Sequence, residues 1–559
     1  MNRWVRCGTA TLLALAAAAA LMPLGAGAQG ERLDIARFEV EGDTLLGAPE
    51  IQRLVAPMSG TGRAYGDIQR AVDALQQAYA RAGYTTVRVS VPEQELRGGV
   101  VRLRVSQAAI GTVVVTGNRH FSADNIRASL PQLQPGRVPD LRAISGSVQL
   151  ANDSPAKQVG VSLADGAAPG TIDAKVTVAD NNPLRIIATL DNSGTPASGR
   201  WRTGVALQHA NLFDRDQVGT LAYTTSPDSP SGMRLELYSL GYRIPLYGMG
   251  DSIDLVYGKS SANSPASSPT LGGVLGFTGK GDIYGARWNH FLGRSGEYSA
   301  RLVLGIDRKR IDSRCDIGGE TVSIAPPTPP ISSCVPYTTM PLSLSYTGQR
   351  ESVGETLGYN VGISRNLASG TRYTNLDGRT DRYSYLTAGN RDTRDGFVVL
   401  RGGVSWFKAL DGGLEDWQVR LNGSAQYAHA PLVASEQLGL TGQSAVRGFQ
   451  ERAVAADSGA IVNAELYTPE LSGRAGIPGQ LRALVFYDAG YGANHRAGNT
   501  AVTGVAHHVN VSSMGFGARY AWRRDFNLRL DVARVNDAGN ALTEKRGDWR
   551  AHLSATLAF

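Results

Sequence analysis

Two hydrophobic periods divide this chain. From about residue 35 to residue 180, short alternating runs are interleaved with runs of three- and four-residue spacing, whereas beyond residue 183 alternation alone persists to the last residue. In Trp417 to Tyr427 the odd positions hold Trp, Val, Leu, Gly, Ala and Tyr, and the even positions hold Gln, Arg, Asn, Ser and Gln. Phe526, Leu528, Leu530 and Val532 keep the same period, as do Leu553, Ala555, Leu557 and Phe559 against His552, Ser554 and Thr556. Such segments, separated by Gly, Asn, Asp, Ser and Pro, predict strands with one apolar and one polar face. About sixteen follow Leu184, an even number as in single-chain bacterial barrels. A soluble sandwich alternates in the same way with its faces reversed, so no single segment decides between lipid and core.

The earlier part predicts strand, helix, helix, strand, strand, twice over. In the first copy Ala36 to Val40 alternates, Glu50 to Val55 is a short helix, and Ile68, Val72, Leu75 and Tyr79 recur at helical spacing up to Gly83, a fitting C-cap. Thr86 to Val91 and Val100 to Val105 complete it. In the second copy Thr112 to Thr116 is the strand, Ser122 caps a helix through Leu130, Leu141 to Leu150 is the next helix, and Gln158 to Leu163 and Thr171 to Val178 are the strands. Phe-Glu-Val-Glu-Gly at 38–42 and Val-Val-Val-Thr-Gly at 113–117 open the copies about 75 residues apart, which marks one module repeated. The modules are bounded at 33–107 and 108–180, and the alternating region at 183–559.

The ends settle where such strands are used. Arg3 and Arg6, an apolar run from Ala10 to Leu21, and Ala26-Gly27-Ala28 form a secretory signal over residues 1–28. After cleavage before Gln29, no run approaches the ~20 apolar residues of a membrane helix, so a membrane-embedded form must be a β-barrel. The chain has 559 residues, 42% hydrophobic and 19% charged, with a net charge of +7 spread along it. No basic block with interleaved aromatics points to nucleic acid. Of three cysteines, Cys7 leaves with the signal; Cys315 and Cys334 read as a disulfide, with two free thiols as the alternative. With both termini on one side, short connections at 211–214, 292–296 and 523–525 fall inside, and long ones at 259–280, 309–340, 365–392 and 430–459 fall outside.

One stretch breaks the pattern. Val446-Arg447-Gly448-Phe449 is apolar and basic at once inside the long connection 430–459. An arginine so flanked is costly to bury without a counter-charge. Phe486-Tyr487-Asp488-Ala489-Gly490, in a later strand, puts Asp488 on one face with Phe486 and Gly490, and a carboxylate facing lipid is costly, so that face is the lumen. Arg447 is therefore expected inside the barrel, either against Asp488 or with a separate lumen partner. No catalytic site, cofactor or metal site is expected: His507-His508 lacks further ligands at suitable spacing, and Ser444 lacks a Gly-x-Ser-x-Gly context.

These features carry a resemblance. The module order, Ala-Gly-Tyr at 82–84 and Pro-Gly-Thr before the last strand of the second copy resemble POTRA domains. The Arg-Gly-Phe loop with Phe-x-Asp-x-Gly resembles the shared hallmark of outer-membrane insertases and translocases. A terminal aromatic, Phe559, resembles the assembly signal of outer-membrane barrels. With two modules rather than more, the chain resembles the TpsB transporters of two-partner secretion, the haemolysin and filamentous-haemagglutinin class. The resemblance implies a fold of α+β POTRA modules followed by an antiparallel transmembrane β-barrel of about 16 strands. It implies an outer-membrane pore with periplasmic modules that bind a secreted TpsA-type exoprotein. It also implies insertion by the barrel assembly machinery, Phe449 packed on the inner wall, and an Arg447–Asp488 lock supported by Val446, Gly448, Phe486 and Gly490. Only residues 29–32 precede the first module, so no separate plug helix is expected. A barrel insertase, a passive channel or receptor, and a barrel enzyme are the competing readings.

Overall fold

The computed structural model describes residues 32–42, 45–230, 234–261, 266–270, 273–277, 279–312, 316–317, 320–321, 335–374, 378–387, 391–495, 505–523 and 525–559. The signal segment 1–28 and both Cys315 and Cys334 lie outside the described residues.

The first module forms a unit up to Ala108. Arg37–Glu41 runs parallel to the central strand Val100–Ser106, which pairs antiparallel with Arg88–Ser90. Helices Ala48–Val55 and Tyr65–Ala82 bury Ile51, Val55, Ile68, Leu75 and Tyr79, and the sheet buries Phe38, Val101 and Leu103. The sequence pattern did not predict a small two-stranded antiparallel sheet of Leu33–Ile35 with Gly60–Arg63. Gly60-Thr61-Gly62 carries no alternation, and the pairing is held instead by Asp34 Oδ1 accepting the Gly62 N–H at 2.8 Å.

The second module repeats the topology: Ala109–Thr116 lies parallel to Thr171–Asp180, which pairs antiparallel with Lys157–Asp165. Ser122 Oγ caps helix Ala123–Ser129 by accepting the Asn125 N–H at 3.0 Å, and Asp140 caps Leu141–Ala151. The repeated glycine has one physical role. Gly42 and Gly117 have φ of 82° and 88°, and a Cβ there would lie 2.6 Å from the Val105 carbonyl oxygen and 2.3 Å from that of Val178. Each is the sharp exit of the first strand beside the central one.

This second module packs on the barrel. Lys157, with a fully buried side chain, bonds Asp216 in the turn after the second barrel strand, and its Nζ also meets Asn125 Oδ1 at 3.2 Å. Tyr247 donates to the same Asp216, and Arg243 bridges Asp153 of the module to Asp254 of the barrel. Ala210 and Tyr247 of the barrel join the apolar core of the module.

The barrel has sixteen antiparallel strands, closed by Trp549–Ala558 against Leu184–Asp191. The eighth is in two pieces, Tyr337–Thr339 and Pro341–Ser352, split where Pro341 lacks an N–H to donate. Phe559 extends the closing pair, donating to and accepting from the backbone of Ile186. Val205, Leu221, Val361, Val462, Val485 and Phe516 are all more than half exposed on the outer face, while Gln426, Asp488, Asp531 and His552 are buried within. An apolar outside and a polar inside is the lipid-facing arrangement.

Candidate functional site

The sixth loop on the outer side, counting those after odd-numbered strands, joins the eleventh strand, Gln418–Ala428, to the twelfth, Ser458–Tyr467, and folds into the lumen. Leu438–Gly439 pairs with Ala455–Ala456, which makes the loop a hairpin of its own. At its tip Gly448 has φ of 97°, where a side chain would be strained, and a Cβ would sit 3.3 Å from Ala533. That turn presents Arg447 to the wall.

Arg447 is 1% exposed, and each of its three guanidinium nitrogens donates to a carboxylate. Nε donates to Asp488 Oδ2 and Nη2 to Asp488 Oδ1, both at 2.7 Å, a bidentate pair; the Arg447 backbone N–H adds a third bond to Oδ2 at 3.1 Å. Nη1 donates to Glu465 Oε1 at 2.7 Å and lies 3.4 Å from Asp531 Oδ1. The Phe486 ring lies beneath the plane, centred 3.5 Å from Cζ.

Glu465, Asp531, Arg519 and Arg529 are members of this cluster that the sequence patterns did not single out. Asp531 takes Arg519 at 2.8 Å and Arg529 at 2.7 Å, and Arg519 also reaches Glu465 at 3.5 Å. Three carboxylates thus face three guanidinium groups, drawn from the loop and from strands twelve to fifteen. A balanced set of this kind is what permits burial: each charge loses water but keeps counter-charges at hydrogen-bond distance. Their only sequence signal is charge on the inward parity, as in Arg529-Leu-Asp531, and parity does not say which strand will meet the loop.

The remaining motif residues seat the tip. Val446 and Phe449 are fully buried with Leu440, Val454, Val509, Val511 and Val535. A Cβ at Gly490 would come 3.0 Å from Val511 Cγ2 and 3.1 Å from Val446 Cγ2, so the bare glycine lets the loop lie on the strand backbone. The Gly448 N–H donates to Nε2 of His552 on the last strand at 2.9 Å. At the loop's far end, Asp457 accepts the N–H groups of Leu432 and His495 at 3.0 Å and bonds Arg391 of the preceding loop. Below the tip lies a lumen cavity of about 530 Å³ lined by Arg420, Arg482, Arg519 and Arg529 with Tyr467 and Tyr520.

The family model described as haemolysin secretion/activation protein ShlB/FhaC/HecB matches residues 170–511, and that of the ShlB-type POTRA domain matches residues 33–107. Outer membrane transporter CdiB of Dickeya dadantii (strain 3937) is 22% identical over 468 residues, which cover 84% of this chain and 78% of the relative. Its counterpart in Escherichia coli is 24% identical over 291 residues, 52% of this chain; the match spans about half of that relative's length, 48%. The solved structure of CdiB from Escherichia coli superposes with a TM-score of 0.69 at 18% identity, covering 97% of this chain and 93% of its own, a likeness of fold.

Proposed function

The chain belongs to the haemolysin secretion/activation protein family ShlB/FhaC/HecB, whose members are outer-membrane proteins, and from that premise we propose that it is the outer-membrane pore of a two-partner secretion pair. An exoprotein of the adhesin or haemolysin type is bound, unfolded, by the periplasmic modules and crosses the lumen to the cell surface. The observation that supports the reading is the loop with Arg447 buried among lumen carboxylates, a segment held inside the barrel by ion pairs rather than by covalent or sheet structure. In a compartment without nucleotide energy, the chemistry asked of the wall is to hold that loop and to release it. The three-stranded sheets suit the first step, since a sheet edge captures an extended segment by backbone pairing without demanding one side-chain sequence. Folding outside then supplies direction.

The test is protein mass spectrometry of culture medium and outer membrane from cells with the parent chain, with Arg447→Ala, and with none. The reading expects one large exoprotein to leave the medium in the last two, with other barrel proteins unchanged. A general fall in barrel proteins means an insertase, and an unchanged medium removes the secretion reading.

A further inference from the structure

Besides the Asp457–Arg391 tie where it joins the twelfth strand, the sixth loop carries another buried anchor, opposite in sign to Arg447. Glu436, in the limb that descends from the eleventh strand, is 2% exposed. Its Oε1 accepts from Lys309 Nζ at 2.9 Å and Thr339 Oγ1 at 3.0 Å, and its Oε2 from Arg401 Nη2 at 3.3 Å. These donors stand on the seventh, eighth and tenth strands, whereas the carboxylates that hold Arg447 stand on the twelfth, thirteenth and fifteenth. The Glu436 carbonyl also accepts Gln426 Nε2 at 3.0 Å. A glutamate in a solvated loop has no need of such a set; one that has lost its water does.

Between the two anchors the chain is stiff. Leu440 and Val446 share a 3.1 Å backbone bond, as do Gly442 and Val446, and Glu451 accepts the Gln443 N–H at 2.6 Å. Arg452 ties the limb together by donating to the carbonyls of Ala434 at 2.9 Å and Gln437 at 3.0 Å. A loop so braced transmits a displacement from one end to the other instead of bending between them.

We propose that Glu436 is a second latch of the pore, a positioning residue that pins the loop's stem to the basic wall at Lys309 and Arg401, so that the lumen clears fully only when both this anchor and the Arg447 anchor are released. Loss of the tip anchor alone lets the loop pivot about a fixed stem. This rests on reading the loop as the closure of the pore, and its test needs no exported partner, so it stands or falls apart from the secretion reading.

The experiment is conductance of the purified full-length chain in planar bilayers, with the folded barrel verified by its heat-dependent migration on gels. Compared are the parent, Arg447→Ala, Glu436→Gln, the two combined, and Lys309→Met with Arg401→Met. Each single release is expected to raise the open fraction modestly, and the combination to exceed either by about tenfold or more, as for loss of two buried ion pairs. The Lys309→Met, Arg401→Met chain is expected to match Glu436→Gln and to add little to it. It leaves the loop sequence untouched and decides the matter if Glu436→Gln does not insert. Glu436→Gln, or that pair, conducting like the parent would overturn the proposal, as would a combined variant no more open than Arg447→Ala.

Discussion

The guanidinium carbon of Arg447 lies 3.5 Å from the centre of the Phe486 ring, while its N–H edges take the carboxylates. The motif that supplies Asp488 therefore supplies a second contact two residues earlier. Phe486→Leu keeps the volume apolar but removes the ring's negative face, a loss of about 1–2 kcal/mol for a desolvated pair. We expect a small rise in open fraction in bilayers, below that of Arg447→Ala; equality with Arg447→Ala would put the ring ahead of the carboxylates.

Gly490 sets how closely the loop approaches the wall. Valine there drives methyl groups into Val446 and Val511, which already stand 3.1 and 3.0 Å from the position of a Cβ. Gly490→Val is expected to insert normally yet leave the sixth loop open to protease added outside cells. A loop as resistant as the parent's would show that the contact is not tight.

The junction of second module and barrel rests on Lys157 and Asp216, whose side chains are 0% and 2% exposed. Burial holds the Lys157 ammonium below its ordinary pKa, with Asp216 opposing that shift. Removing one partner strands the other, at about 3–5 kcal/mol for a buried pair. Lys157→Met should loosen the module, seen as sharper nitroxide spectra from a label on it, and Lys157→Met with Asp216→Asn should recover part of the order. A double variant looser than the single would contradict the pairing.

Asp180 makes a pH-dependent contribution. Burial opposes its charge, but the backbone N–H groups of Arg119, His120 and Phe121, at 2.8–3.1 Å, outweigh burial and hold its carboxyl below 3.8. A carboxyl with a depressed folded-state pKa stabilises fully above its unfolded value and ceases to do so as pH falls through the folded value. Protection of the 119–121 amides in hydrogen exchange, corrected for intrinsic rates, should be flat from neutral pH down to about 4 and fall below it. Asp180→Asn should lack that protection already at pH 7; a variant with the parent's profile would remove the assignment.

Much of this architecture is written locally. Alternation in Trp417 to Tyr427 and in the last nine residues specifies barrel strands because each inward or outward position repeats one environment. The repeated glycines at 42 and 117 mark the module because the same carbonyl clash recurs. The Arg447 and Asp488 motifs are conspicuous because a charge among apolar or lipid-side neighbours demands an explanation. Glu465, Asp531 and Glu436 make no such demand: a carboxylate on the polar parity of a strand, or in a polar loop, is unremarkable until the loop's path is known. The pairing of Leu33–Ile35 was hidden for a related reason, since its partner Gly60–Arg63 has no side-chain pattern and pairs through backbone.

A secretion pore of this design passes a polypeptide through its lumen. A photo-crosslinking residue at position 420, on the cavity below the loop, and another at position 485, on the lipid face, separate the alternatives in living cells. Expected is an ultraviolet-dependent adduct between position 420 and a single large exoprotein during its export, and no such adduct from position 485. Export proceeding with no adduct from position 420, or with equal adducts from both, would contradict that path.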